Sequence, residues 1–229
     1  MDVDGSGAGR MVRAARTINR CVVLGLCLAL ACAPSVVVGL FVSATPLGLV
    51  LYVLGLVAVA PALSAGLYAV RGWRRDPGAG SARLFLRGYR MNVVDVLRWW
   101  VPTLVAAAVL AVNVGYAGDH VAGPLLRAAG IAAGVVLALW AGNALVVSSF
   151  FSFRTRDVAR IAAAEMFLSW RVTLGLACLL LVAAAGVYVA GDGAMLLLAW
   201  VFVVLLELVA RPLVAHVTAR FTPAEPDAG

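Results

Sequence analysis

CVVLGLCLALACAPSVVVGLFVSATPLGLVLYVLGLVAVAPALSAGLYAV, from Cys21 to Val70, runs fifty residues without a charge. An apolar run of about 18 or more residues is long enough to cross a bilayer, whose hydrocarbon is about 30 Å thick. A single helix of fifty residues would reach about 75 Å at a rise of about 1.5 Å per residue. The run therefore predicts two spans. Ser43-Ala44-Thr45-Pro46-Leu47-Gly48 is rich in helix breakers and is the expected turn. Helix 1 is expected over 21–43 and helix 2 over 47–71. Each holds a proline, Pro34 and Pro61, which should kink its helix and free carbonyls for neighbouring helices to satisfy.

The rest of the chain repeats this grammar. Trp99–Gly118, Ala128–Phe153, Val172–Gly191 and Gly193–Leu206 carry no charge. Residues are 64% hydrophobic and only 13% charged, against about 25% charged in ordinary soluble domains. A soluble fold of this composition would have too little polar surface to face water. Helices 3 to 6 are expected over about 100–117, 126–151, 172–190 and 194–214. The expectation is an all-α polytopic bundle of six spans, with a basic N-terminal segment (1–20), a membrane domain (21–216) and a short tail (217–229).

The chain has eighteen arginines and no lysine. Seventeen of them lie in the N-terminal segment, the links 71–98 and 152–171, and the C-terminal end, leaving Arg127 alone on the other side. Basic residues mark cytoplasmic loops, so both termini and both links are expected on the cytoplasmic side of the membrane. The net charge of +7 then reflects orientation and contact with anionic headgroups, and no nucleic-acid partner is expected. Residues 1–9 are small and polar and are expected to be disordered. Arg10–Arg20, Cys21–Leu30 and Ala31-Cys32-Ala33 follow the order of a signal peptide. Pro34 would directly follow the cut and the apolar run continues beyond it, so the segment reads as an uncleaved first span.

The links have internal structure. Asp76-Pro77-Gly78-Ala79-Gly80 is a turn. From Ser81 the pattern is helical. Arg83, Arg87, Arg90 and Arg98 fall in one arc at about 100° per residue, and Phe85, Leu86, Tyr89, Val93, Val96 and Leu97 are read as the other side. This predicts a basic amphipathic helix in the membrane interface, with Trp99 and Trp100 at headgroup level. The link after helix 4 has the same plan, with Arg154, Arg156 and Arg160. Diverged duplication or convergent interfacial chemistry both explain the likeness.

Catalytic constellations are missing from the sequence. The histidines are His120 and His216, with no paired metal-ligand spacing, phosphate-binding loop or nucleophile elbow. No enzyme activity, cofactor or metal is expected. Cys21, Cys27, Cys32 and Cys178 read as small buried hydrophobes. The candidate intramembrane polar site is Glu207, Arg211, Asn143 and Asn113. Glu207 lies well inside helix 6 and is expected to face the bundle, because an ionised carboxylate facing lipid is costly. Arg211 follows in the favourable i,i+4 order, so Glu207 fits either a structural ion pair or a transport site. Asn143 is within plausible depth to bond it. Gly130 and Gly134 form a GxxxG face. The candidate headgroup or partner-docking surface is Arg83, Arg87, Arg90, Arg98, Arg154, Arg156 and Arg160.

Three stretches together resemble a known family. Pro61-Ala62-Leu63-Ser64-Ala65-Gly66-Leu67-Tyr68 followed by Arg71, Phe85-Leu86-Arg87-Gly88-Tyr89-Arg90-Met91-Asn92, and Ser149 to Arg160 (SFFSFRTRDVAR) are similar to segments of the YesL-type family, the last to its actinobacterial members. Ala60 stands where many members have glycine. The resemblance implies a small bacterial integral membrane protein of unknown activity. Members are often encoded beside carbohydrate uptake systems, which implies an accessory or regulatory role there. A small transporter or channel with a midplane site around Glu207 and Asn143 is the alternative. Partners are then the lipid bilayer and either an uptake system or a second copy of the chain.

Overall fold

The computed structural model describes residues 4–41, 45–76, 78–116, 123–151 and 154–221. It is helical in the order α1 (Asp4–Phe41), α2 (Pro46–Gly55), a 3-10 turn (Leu56–Ala58), α3 (Val59–Arg75), α4 (Ser81–Tyr116), α5 (Gly123–Phe150), α6 (Thr155–Leu168) and α7 (Trp170–Phe221). Among the described residues five helices are long and apolar enough to cross a membrane: Ala14–Phe41, Val50–Arg75, Ser81–Tyr116, Gly123–Phe150 and Trp170–Val189. Their outward faces carry large apolar side chains such as Leu30, Leu40, Phe41, Leu125 and Leu181, each more than two-thirds exposed. Lipid tails cover a surface of this kind, and the chain is a multi-pass helical membrane protein.

The expected sixth span falls in the second arm of α7. Gly191 breaks α7 with φ 77° and ψ 170°, a conformation that suits glycine. A methyl on Gly175 would lie 2.6 Å from Val209 Cγ1, so residues 192–221 fold back along residues 170–190. The turn expected at 191–193 is thus present. The arm it starts is not among the five helices that are long and apolar enough. The loop holding Asp119 and His120, residues 42–44 of the first turn, and residues 222–229 of the tail lie outside the described residues.

Two elements differ from expectation. Residues 4–20, expected as a loose basic segment, are helical and continuous with the first span. Once α1 is nucleated, alanine and arginine around Ala14-Ala15-Arg16 extend it at little cost. The amphipathic helix expected over 81–98 is not a separate element, because α4 runs unbroken for 36 residues. It stands antiparallel to α3 in constant register. Trp73 Nε1 donates to Ser81 Oγ at 3.1 Å, Asn92 Nδ2 to Ser64 Oγ at 3.1 Å, and Trp100 Nε1 to Leu56 O at 3.0 Å. Gly72 faces Leu84 and Gly88 faces Tyr68. Small and polar groups draw this face onto α3, whereas the sequence pattern pointed to a helix lying flat across the spans. The tryptophans follow it inward. Trp99 is only 3% exposed and packs edge-on against Trp100 and Trp140, within the bundle and not at its rim.

Pro34 lies inside the continuous α1, and Pro61 disturbs its helix as expected, with one detail. Pro61 cannot donate to Val57 O and its ring crowds that turn, and the ladder tightens to 3-10 geometry at 56–58. Neighbouring helices meet the disturbed carbonyls: Ser35 Oγ donates to Gly55 O at 2.7 Å and Trp100 to Leu56 O. Thr45 caps α2 by accepting from Gly48 N at 3.1 Å, with Pro46 at the first helical position. Cys32 is buried and Cys21 and Cys27 half-buried, but Cys178 is exposed on α7, contrary to its reading as a buried residue. The GxxxG pair divides: a methyl on Gly130 would strike Val114 Cγ2 at 2.5 Å, whereas Gly134 has nothing within 4 Å.

The close approach of α3 and α4 can be tested at Gly88. Gly88→Ala places its methyl 2.7 Å from Tyr68 Cβ, an atom fixed to the backbone, and is expected to cost about 1–3 kcal/mol. Gly134→Ala meets open space and gains helix propensity, and is expected to be no less stable than the parent. Thermal unfolding of the two purified proteins in detergent measures the contrast, and equal stability would remove the close approach.

Candidate functional site

The arginine-rich end of α3 meets the second arm of α7 at Glu207. Glu207 is 6% exposed. Its Oε2 accepts from Arg211 Nη2 at 3.2 Å and from Arg74 Nη2 at 3.5 Å. The carboxylate thus faces protein. Arg211 is one turn along the same helix, as its spacing predicts. Arg74, 133 positions earlier, is the partner that the sequence leaves unmarked. The side chains of Arg74 and Arg211 are 58% and 46% exposed, so the charges are buried on one side only and the pair keeps contact with the polar boundary. Such a half-buried pair costs less to desolvate than a fully buried one.

The other members of the expected polar site do not join it. Asn143 is fully buried, but its Nδ2 donates to Leu139 O of its own helix at 3.1 Å. Asn143 Oδ1 and Trp99 Nε1 are the buried polar atoms left without a hydrogen bond among the described residues. Asn113 is exposed near the far end of α4. Arg74 neighbours Trp73, which bonds Ser81 at the near end of α4. Asn113 is thus separated from Glu207 by most of α4, roughly 45 Å of helix.

A polar network does cross the bundle at Ser64. Its Oγ accepts from Asn92 Nδ2 at 3.1 Å and from Ser149 Oγ at 2.9 Å, tying α3 to α4 and α5. Beyond it lies a cavity of about 770 Å3 bounded by α3, α4, α5 and α7. Side chains such as Leu63, Leu104, Leu137, Leu176 and Phe202 line it. Thr103, one of its few polar side chains, donates back to Trp99 O at 2.7 Å. An apolar wall of this sort, with Thr103 and the Trp99 and Trp100 indoles as its polar exceptions, offers few ligands to an ion and few partners to sugar hydroxyls.

The expected docking arginines, Arg83, Arg87, Arg90 and Arg98 on α4 and Arg154, Arg156 and Arg160 around α6, are all exposed. Arg98 pairs with Asp95 at 3.0 Å. α6 forms as an amphipathic helix with Val158, Ala162 and Glu165 on its buried side, and Trp140 Nε1 donates to Ala159 O at 3.2 Å. Glu165, 3% exposed, is an acidic residue that the sequence reading passed over. It accepts from Ser169 Oγ. Its place seven residues after Val158 and three after Ala162, on the apolar face, is the signal that could have found it.

Residues 22–114, from α1 into α4, match the family model described as Protein of unknown function, DUF624. The stretches 61–71 and 85–92 lie inside that match and 149–160 outside it. No curated protein matches the chain, and neither does any solved structure.

Glu207→Gln keeps the shape of the site but removes the charge that two arginines share. The expected cost is about 1 kcal/mol, held down because both arginines are well exposed. Arg74→Gln should cost less, since Arg211 retains the carboxylate. Unfolding of the single and double variants gives the coupling, and an additive double variant would show that Arg74 and Glu207 do not interact.

Proposed function

We propose that this is a non-enzymatic accessory or scaffolding protein of a bacterial inner-membrane carbohydrate uptake system, with its arginine faces in the cytoplasm. Glu207 carries this reading: its carboxylate is held by Arg74 and Arg211, which is how a structural charge is kept. The apolar cavity supports it, since a route for a polar solute needs polar groups along it. The association with sugar uptake rests on the resemblance to the YesL-type family. Orientation rests on the arginine count by side. The exposed rows on α4 and α6 would meet anionic headgroups and an acidic surface of the uptake machinery. The transporter alternative gains nothing from Asn143, which bonds its own helix.

Three experiments test this. In a cysteine-free background, Gly118→Cys and Asp192→Cys are expected to react with an impermeant reagent added to intact cells, and Gly80→Cys and Thr155→Cys are not. The reverse pattern would invert the topology. Subunits of a sugar transporter should co-purify from native membranes, and replacing Arg83, Arg90, Arg156 and Arg160 with Gln should release them. Glu207→Gln at normal protein level should leave sugar uptake unchanged. Loss of uptake in that variant would favour a conduit over a scaffold.

A further inference from the structure

A second cavity, of about 380 Å3, opens at the arginine-rich end between α3, α4, α5 and the start of α6. Arg71 and Arg75 of α3 and Arg87 of α4 border it. Arg74, on the same turn of α3, is turned instead toward Glu207. Arg71 is half-buried with its guanidinium 4.9 Å from the centre of the Phe150 ring. Among the described residues none of the three guanidiniums has a hydrogen bond or an ion pair to a carboxylate. Arg71 and Arg75 are one helical turn apart, a spacing at which like charges repel. Two acidic side chains share the rim, and each has another partner: Asp76 Oδ1 accepts from Gly78 N at 3.0 Å, and Asp95 Oδ1 from Arg98 Nη1 at 3.0 Å.

We infer that this cleft is a binding site for a phosphate-bearing ligand, held by Arg71, Arg75 and Arg87. Three arginines bordering one cavity, each with a planar fork of donors, suit a tetrahedral oxyanion, which offers acceptors in several directions. A carboxylate has two oxygens in one plane and saturates with fewer. A dianion would also relieve the repulsion between Arg71 and Arg75. Tyr68, Ser148 and Thr155 add hydroxyls to the wall, and Leu84, Met91 and Phe151 provide an apolar side for the carbon part of the ligand. The floor is firm, because Asn92 and Ser149 of the same lining are tied through Ser64. This inference is independent of the uptake reading. The phosphate can belong to an anionic phospholipid headgroup or to a soluble organic phosphate.

The test uses the full-length protein in two settings. In neutral detergent, thermal unfolding is followed against glycerol 3-phosphate and inorganic phosphate, with chloride matched for ionic strength to cancel screening. In nanodiscs of phosphatidylcholine with and without phosphatidylglycerol, native mass spectrometry counts retained anionic lipid. A rise in melting temperature with a soluble phosphate, or selective retention of phosphatidylglycerol, is expected, and the arm that responds names the source. Arg75→Gln and Arg87→Gln should each weaken that response about tenfold or more. Arg87→Lys, which keeps the charge and loses the fork, should recover only part of it. Arg16→Gln and Arg171→Gln remove a charge outside the cleft and should leave the response intact. Both arginines of the test pair are exposed, so their variants should fold, and an unchanged melting temperature without ligand confirms it. No response in either arm, or equal loss in the Arg16 and Arg171 variants, overturns the site.

Discussion

α3 is packed on by α1, α4, α5 and α7, and its side chains permit it. Its buried positions are Ala60, Pro61, Ala62, Ser64, Ala65, Gly66, Leu67, Ala69 and Val70, of which Leu67 alone is larger than valine. Lipid tails are as apolar as leucine, so helices in a bilayer gain little by hiding hydrophobic surface from them. They associate through close contact and a few hydrogen bonds. Small residues allow the backbones to approach, and glycines on the partner elements complete the fit. Gly88 lies against Tyr68, and Gly66 lies against Val203 of α7. Enlarging α3 would separate several helices together, with no soft neighbour to take up the strain.

The stretches 61–71, 85–92 and 149–160, the first two of them inside the matched family segment, converge in space. Ser64 comes from the first, Asn92 from the second and Ser149 from the third, and they share one hydrogen-bonded cluster. Arg71 then reaches Phe150, and Arg87 borders the same cavity. In the sequence these segments are separated by spans and have no visible relation. What joins them is the register of α3 against α4 and the crossing of α5, both of which depend on side-chain fit over long separations.

What was legible in the sequence followed from local chemistry. The apolar runs locate the helices, Thr45-Pro46 and Gly191 locate two of the turns, and the i,i+4 step from Glu207 to Arg211 gives that ion pair. The misses share a cause. The arginine periodicity of 81–98 correctly marks a helix, but nothing local tells whether its other face meets lipid or a neighbouring helix. Gly88 and Asn92, read as parts of a motif, were the residues that settled it. Trp99 and Trp100 stand where interfacial tryptophans usually stand, yet Trp100 is recruited to a carbonyl loosened by a proline some forty residues earlier. Arg74 is one of seven arginines in its link, and only tertiary structure picks it out as the partner of Glu207.

The unbroken length of α4 has a mechanical meaning. A helix of 36 residues is about 54 Å long, well beyond the hydrocarbon it crosses. Its first turns carry Arg83 and Arg87, and its last turns lie against Gly130 through Val114. A rod of this kind tilts as one body unless it has a soft point, and Pro102, which leaves Arg98 O without its usual donor, is the place where it can bend. A push on the arginine end would therefore either swing the far end against α5 or be absorbed at Pro102, one turn from the edge-to-face pair of Trp99 and Trp140. The stiffness of that single turn determines whether the two ends of the protein move together.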